Sequence, residues 1–316
     1  MRRRLLGLAR LARYKEYLWF VVITTLLGAM VSNGSMGWRL IVVLVANWLA
    51  VAFAFMVNDV EDAPEDALNP AKVRRNPVSA ADLSPRAAWI ASWVVAALAV
   101  FAYAWLGLWP FLIGIFCLAL GFLYSWRPVR LKTIPILDMA SHCLMLAGLQ
   151  FLSAYYTFGP GDSSHWIYPF VCLISMSLYG ELFNELRDYE EDVKAGITHT
   201  ASFLGQKLAN ALMMTLLAVG IAAGLMTIFW IRLIPAWLLL LVAVIAMILL
   251  MPAFVRSRHK KSFIELQQSV QKPVEIGAAF ALGYLFISAW ALQYYQLVNI
   301  FYYNEIIRYI NMIWRS

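Results

Sequence analysis

The sequence predicts an all-α integral membrane protein, with nine transmembrane helices around a central cavity and the N-terminus in the cytoplasm. Three observations predict it. First, 62% of the 316 residues are hydrophobic and only 14% are charged, whereas a soluble domain is about 45–50% apolar and about 25% charged. Second, nine apolar stretches approach the roughly 20 residues that cross a bilayer: 16–33, 38–57, 87–107, 109–126, 134–158, 166–186, 208–230, 233–254 and 275–296. Third, nine spans place Arg2, Arg3, Arg4, Arg10, Arg13, Lys15, Lys72, Arg74, Arg75, Arg86, Arg127, Arg130, Lys132, Arg187, Lys194, Lys207, Arg256, Arg258, Lys260, Lys261 and Lys272 on one side. Those are 21 of the 25 basic residues, the asymmetry expected of cytoplasmic loops. Removing one span would invert every later loop and spoil it.

Taken in order, the basic stretch from Arg2 to Lys15 precedes the first span, and no small-x-small site follows that would mark a cleaved leader. Leu108-Trp109-Pro110 separates the third and fourth stretches, which read as a tight hairpin or as one span misread as two. Residues 1–316 read as a single polytopic domain, with possible duplicated halves at about 16–158 and 166–296. Residues 297–316 carry Ile300, Phe301, Ile306, Ile307, Ile310 and Trp314 and read as an amphipathic segment on the outer face. Cys117, Cys143 and Cys172 fall within spans without metal-ligand or disulfide spacing and read as packing residues. The net charge of +7 follows from the topology and also suits anionic headgroups or an anionic substrate. The basic residues are spread over five loops, which argues against nucleic acid as a partner.

Acidic residues are distributed quite differently. Asn58-Asp59-Val60-Glu61-Asp62-Ala63-Pro64-Glu65-Asp66 and Asn184-Glu185-Leu186-Arg187-Asp188-Tyr189-Glu190-Glu191-Asp192 both fit N-x-x-x-D-x-x-x-D. With Glu181 they hold 11 of the 18 acidic residues. Each segment closes an even-numbered span, the second and the sixth, on the cytoplasmic side. So much negative charge beside a bilayer implies a cation between the segments. On a helix, positions i, i+4 and i+8 lie within about 80° of one another. Asn58, Asp62 and Asp66 can therefore share a face, with Asp59 nearby, and so can Asn184, Asp188 and Asp192. An oxygen-only ligand set selects Mg2+ over zinc. Mg2+ binds through one or two carboxylates plus substrate phosphates, which points to a diphosphate bridged to both segments. Lys72, Arg75, Arg130, Lys132, Arg187 and Lys194 are the candidate partners of its oxygens, although inside loops carry Lys and Arg for topology in any case. Pro64 predicts an end or kink of the helix near Asp62. Glu181 is deeper in its span than the rest of the second cluster. His142 and Asp138, four residues apart, read as a buried hydrogen-bonded pair.

The chain resembles the UbiA-type intramembrane prenyltransferases. That family carries N-D-x-x-D-x-x-x-D after its second span, matched by Asn58, Asp59, Asp62 and Asp66, and D-x-x-x-D after its sixth, matched by Asp188 and Asp192. Asn69-Pro70, the basic run before Pro77, Tyr124-Ser125 through Lys132, Ala195-Gly196 and Thr200 through Gly205 extend the resemblance over nearly the whole chain. The chain departs from the pattern at Pro64, at Asn76 where relatives have Arg before the proline, at His199, and at Pro128, four residues after Tyr124. The resemblance implies Mg-dependent transfer of a polyprenyl group from an isoprenyl diphosphate to a lipophilic acceptor, with two Mg2+ ions between the motifs. It makes Asp62, Asp188 and Lys132 the catalytic residues and adds Tyr124 to the diphosphate contacts. An aromatic quinone precursor is the default acceptor, and Leu131 to Ser141 resembles members that extend carotenoids. An intramembrane terpene cyclase, and a non-enzymatic cation or lipid carrier, are the alternatives; the sequence does not name acceptor-binding residues.

Overall fold

A computed structural model describes residues 2–32, 34–159, 166–194, 196, 198–231, 271–293 and 295. The elements are helices α1 (Arg2–Leu11), α2 (Tyr14–Val31), α3 (Trp38–Asp66), α4 (Pro70–Arg75), α5 (Pro85–Leu106), α6 (Leu108–Ser125), α7 (Leu137–Cys143), α8 (Leu149–Phe158), α9 (Ile167–Lys194), α10 (Thr200–Leu204) and α11 (Gln206–Ile231), then α12 (Gln271–Gln293). No strand occurs among the described residues. Six of these helices, α2, α3, α5, α6, α11 and α12, are long and apolar enough to cross a membrane. The eighth expected span, 233–254, and the amphipathic segment 297–316 lie outside the described residues.

The third helix is the centre of the bundle. Val43, Ala46, Ala50, Phe53 and Val57 follow one another at intervals of three and four, and all are essentially inaccessible. That periodicity makes one continuous stripe on a helix, and it meets α2, α5, α6 and α8 in a single apolar cluster. The outward stripe of α5 is the opposite case. Ile90, Val94, Leu98, Phe101 and Trp105 are exposed at the same spacing, as a lipid-facing surface requires.

Lipid is as apolar as leucine, so burial alone does not draw spans together, and close approach and hydrogen bonds do. Gly28 shows the first: a Cβ there would sit 2.4 Å from the Phe151 carbonyl oxygen, so α2 and α8 touch only because the side chain is absent. Asn47 shows the second. Its amide donates to Thr25 Oγ1 (2.9 Å) and the Gln150 carbonyl (3.1 Å). Its oxygen accepts from Tyr103 (2.8 Å) and Ser153 (2.7 Å). One side chain thereby joins α2, α3, α5 and α8 in the core.

Three expectations are altered by local chemistry. The third and fourth stretches are two helices, α5 and α6, joined at Gly107, whose φ of 127° favours glycine. The fifth stretch is not one regular helix: a 3-10 turn at Leu131–Thr133 precedes α7, and a π-helical turn at Leu144–Gly148 separates α7 from α8. Gln150 Nε2 (3.3 Å) and Cys117 Sγ (3.3 Å) both donate to the Met145 carbonyl inside that turn, which satisfies an oxygen released from the α-helical ladder. Pro64 does not end α3, which runs on to Asp66. Ser79 Oγ donates to the Ala63 carbonyl (2.9 Å) and Asn76 Nδ2 to Asp66 (2.9 Å), so the following loop holds the last turn in helical form.

Candidate active site

The end of α3 splits the first motif between two faces. Asn58, Asp62 and Glu65, spaced by four and three, meet the loop after α6. Lys132 Nζ lies 2.7 and 2.5 Å from the two Asp62 oxygens and 2.9 Å from Asn58 Oδ1. Arg130 reaches Asp62 (3.1 Å) and forks onto Glu65 (2.9 and 2.5 Å). Arg127 Nε donates to the Glu61 carbonyl (3.1 Å). Burial pushes the Lys132 ammonium below its ordinary range, and the Asp62 carboxylate opposes that shift. The Glu65 carboxylate, with Asp62, strengthens the hold of Arg130 on its proton.

Asp59 and Asp66 lie round the helix from Asp62. Asp59 is 1% exposed, and Arg13 Nη1 reaches it at 3.3 Å. Arg13 also bonds Glu16 (2.9 Å) and lies over the Phe55 ring. Its own backbone is left-handed, with φ 46°. Asn76, 1% exposed, donates to the Asp59 carbonyl (2.7 Å) and to Asp66 (2.9 Å). Arg75 lies 4.0 Å from Glu16, and Lys72 is exposed on α4. The structure thus brings Asn58, Asp62, Arg130 and Lys132 together, while Asp59 and Arg75 meet the N-terminal Arg13–Glu16 corner.

On α9, Arg187 donates to both Asp188 oxygens (2.8 and 2.7 Å) and to Asn184 Oδ1 (3.2 Å). Asp192 lies 3.2 Å from His199 Nε2, and Glu185 lies 3.3 Å from His199 Nδ1. Burial works against the charged form of His199, but Glu185 and Asp192 outweigh it and raise its pKa. His199 caps α10 by accepting from the Ser202 N–H (3.2 Å). The Lys194 side chain lies outside the description. Asp138 does not pair with His142: it accepts from the Thr200 backbone N–H (2.6 Å) and from the Thr200 hydroxyl, because α10 brings its unpaired N-terminal donors there. His142 meets Glu181 instead, at 3.2 Å.

Two consecutive residues tie the helices of both motifs to α6. Ser125 Oγ donates to Asn58 Oδ1 (3.0 Å) on α3, and Tyr124 Oη donates to Glu181 Oε1 (2.9 Å) on α9. The last turn of α6 therefore fastens both motif helices. Sequence reasoning missed Arg13, Asn76 and Ser125, whose partners are 46, 10 and 67 residues away. The only signal for Asn76 was its position before Pro77 as a departure from the family pattern. Among the described residues, no three His, Cys, Asp or Glu side chains converge closely enough to hold a metal by themselves.

A helical bundle with two amide-and-carboxylate motifs, both tied to the last turn of α6, is consistent with the class of intramembrane prenyltransferases. The chain belongs to the UbiA prenyltransferase family, whose model matches residues 21–266. It is similar to the lycopene elongase/hydratase of Haloferax volcanii, with 33% identity over 158 residues, 50% of this chain and 50% of that one. The lycopene elongase/hydratase of Haloarcula japonica is 33% identical over 159 residues, 49% of this chain and 50% of that one. The chain spans about half the length of the curated relatives it matches. Among solved structures, a UbiA homologue from Archaeoglobus fulgidus bound to GPP and Mg2+ superposes with a TM-score of 0.64 at 21% identity, over 87% of this chain and 99% of that one. A UbiA homologue from Aeropyrum pernix gives 0.64 at 20% identity, over 85% and 98%.

Proposed function

We propose that this chain transfers an isoprenyl group from its diphosphate to an acyclic carotenoid. The observation that carries the reading is the clasp of Tyr124 and Ser125, which joins Asn58 and Asp62 to the helix of Asn184, Asp188 and Asp192, with Lys132 and Arg130 against Asp62. The two lycopene elongase/hydratases support the choice of acceptor over an aromatic ring. The bound GPP and Mg2+ of the archaeal homologue support the donor and the metal.

Asn58, Asp62, Asn184, Asp188 and Asp192 offer only oxygen, and Lys132 Nζ bridges Asn58 and Asp62, so a cation suits that spot. These residues would hold Mg2+, as the pair of ions that the family resemblance implies; bound there, the metal would neutralise the diphosphate and ease its departure. Asp66 is held by Asn76 beside the Asp59 carbonyl, round the helix from Asp62. Lys132, Arg130 and Arg187 supply positive charge where the leaving group gains negative charge. The donor C–O bond breaks with its electron pair on the diphosphate, and an acceptor double bond supplies the pair for the new C–C bond. The nine-span topology, the cytoplasmic N-terminus and a site at the cytoplasmic face are part of the same reading, supported by the placement of basic residues.

The test uses the full chain in liposomes with DMAPP, Mg2+ and either lycopene or a phenolic acid. Diphosphate release and the prenylated lipid, followed by mass spectrometry, are expected with lycopene. Product with the phenolic acid alone would replace the acceptor. Diphosphate release with no acceptor present would favour a cyclase. Cation flux without diphosphate release would remove the enzymatic reading.

A further inference from the structure

A second cluster of titratable groups, Glu181 and His142 with Tyr124, lies beside the proposed donor site. Glu181 is one turn before Asn184 on α9, about 4.5 Å along the axis at 1.5 Å per residue. Tyr124 Oη donates to Glu181 Oε1 at 2.9 Å, and His142 Nε2 lies 3.2 Å from Glu181 Oε2. The Glu181 and His142 side chains are 13% and 18% exposed. Tyr124 and His142 face each other with ring centroids 6.2 Å apart. Among the described residues, no Lys or Arg forms an ion pair with Glu181. The buried His142 Nδ1 has no hydrogen-bond partner.

The contrast with Asp62 and Asp188 carries the argument. Those carboxylates are neutralised by Lys132, Arg130 and Arg187. The donors to Glu181 are a phenol and an imidazole, groups that orient a carboxylate while leaving it able to take a proton. Adding an allylic group to a double bond needs such an acceptor, because the acceptor molecule is left as a carbocation that carries one proton too many. That charge would arise close to the proposed donor residues, and Asn184 is one turn from Glu181.

We infer that Glu181, oriented by Tyr124 and His142, is the catalytic base that ends the reaction, which rests on the prenyl transfer proposed above. Once the C–C bond has formed, Glu181 takes one proton. If the proton comes from the carbon next to the cation, the C–H pair becomes a new double bond. If a water molecule adds its oxygen pair to the cation, the proton comes from that water and an alcohol results. In both cases one proton passes to the carboxylate, whose side chain is 13% exposed, and from it to water, and the diphosphate keeps the pair from the broken C–O bond.

The test is Glu181→Gln in the full chain, in liposomes with DMAPP, Mg2+ and lycopene. The amide keeps the shape and the Tyr124 contact but takes no proton. DMAPP binding should stay within about threefold, while prenylated product falls about 10²-fold or more, the range for losing a positioned base. The remaining turnover should shift toward hydrolysed prenyl alcohol, a partition that a merely structural role would not move. Glu181→Asp should recover part of the product. Product at the wild-type rate from Glu181→Gln would overturn the inference and leave the departing diphosphate as the base. Loss of DMAPP binding along with product would also overturn it, by placing Glu181 in the donor site. If Glu181→Gln does not insert, His142→Gln carries the test: product must fall with DMAPP binding kept, and unchanged product overturns the inference. Failure of the wild-type chain to release diphosphate is a separate result, which removes prenyl transfer itself.

Discussion

Asp62 is the residue on which two basic side chains converge, and its removal leaves Lys132 with only the Asn58 oxygen while Arg130 keeps Glu65. Asp62→Ala and Asp188→Ala should each abolish Mg2+-dependent diphosphate release while the protein still inserts, and near-normal release from either would displace the site. Asn76 has a different role. Its amide holds a backbone carbonyl and the last carboxylate of the motif, and its oxygen accepts from the Val78 N–H at 2.9 Å. Asn76→Ala leaves those groups unpaired, so thermal unfolding in detergent should report a loss of about 1–3 kcal/mol. That Asn58 and Asp62 share a helix face was legible in the sequence because their spacing is local. Asn76, Arg13 and Ser125 were not, because their importance comes from what the tertiary fold places against them. Asp59 shows the limit of spacing arguments: it is three residues from Asp62, yet its carboxylate faces Arg13.

Among the elements, α3 was readable in advance from its buried stripe, and its persistence past Pro64 was not. Proline removes one donor near the helix end, and the Ser79 and Asn76 contacts that compensate come from a loop whose course no periodicity reveals. The broken fifth span was equally hidden. An apolar stretch of the right length says nothing about a carbonyl that Gln150 and Cys117 will satisfy from the side. The packing devices give two expected outcomes. Asn47→Ala removes a centre that touches three helices besides its own. With interhelical hydrogen bonds in membranes contributing about 1–2 kcal/mol at most in model peptides, the midpoint of thermal unfolding should fall, and an unchanged midpoint would show the network to be dispensable. Gly28→Val places side-chain atoms against the Phe151 carbonyl, so α2 and α8 must separate. A cysteine pair engineered across that contact should then cross-link more slowly than in the parent.

For the whole molecule, the site is a property of the bundle, since α3, α6, α9 and the loop after α6 all contribute to it. Chelation with EDTA should abolish turnover, and added Mg2+ should restore it. Persistent turnover without divalent ions would separate the acidic motifs from the reaction. The long loop contacts have one more consequence, for synthesis. The first motif leaves the ribosome well before the second, and its cations come from Arg130 and Lys132, 65 to 74 residues downstream. The second motif is matched by Arg187 from its own helix. Each motif is therefore charge-compensated by its own stretch of chain, and the first is complete before the second is made. A released chain truncated after residue 158 should leave an inserted fragment whose acidic cluster is already neutralised, and Lys132→Glu should make that fragment, more than the finished protein, the target of membrane proteases.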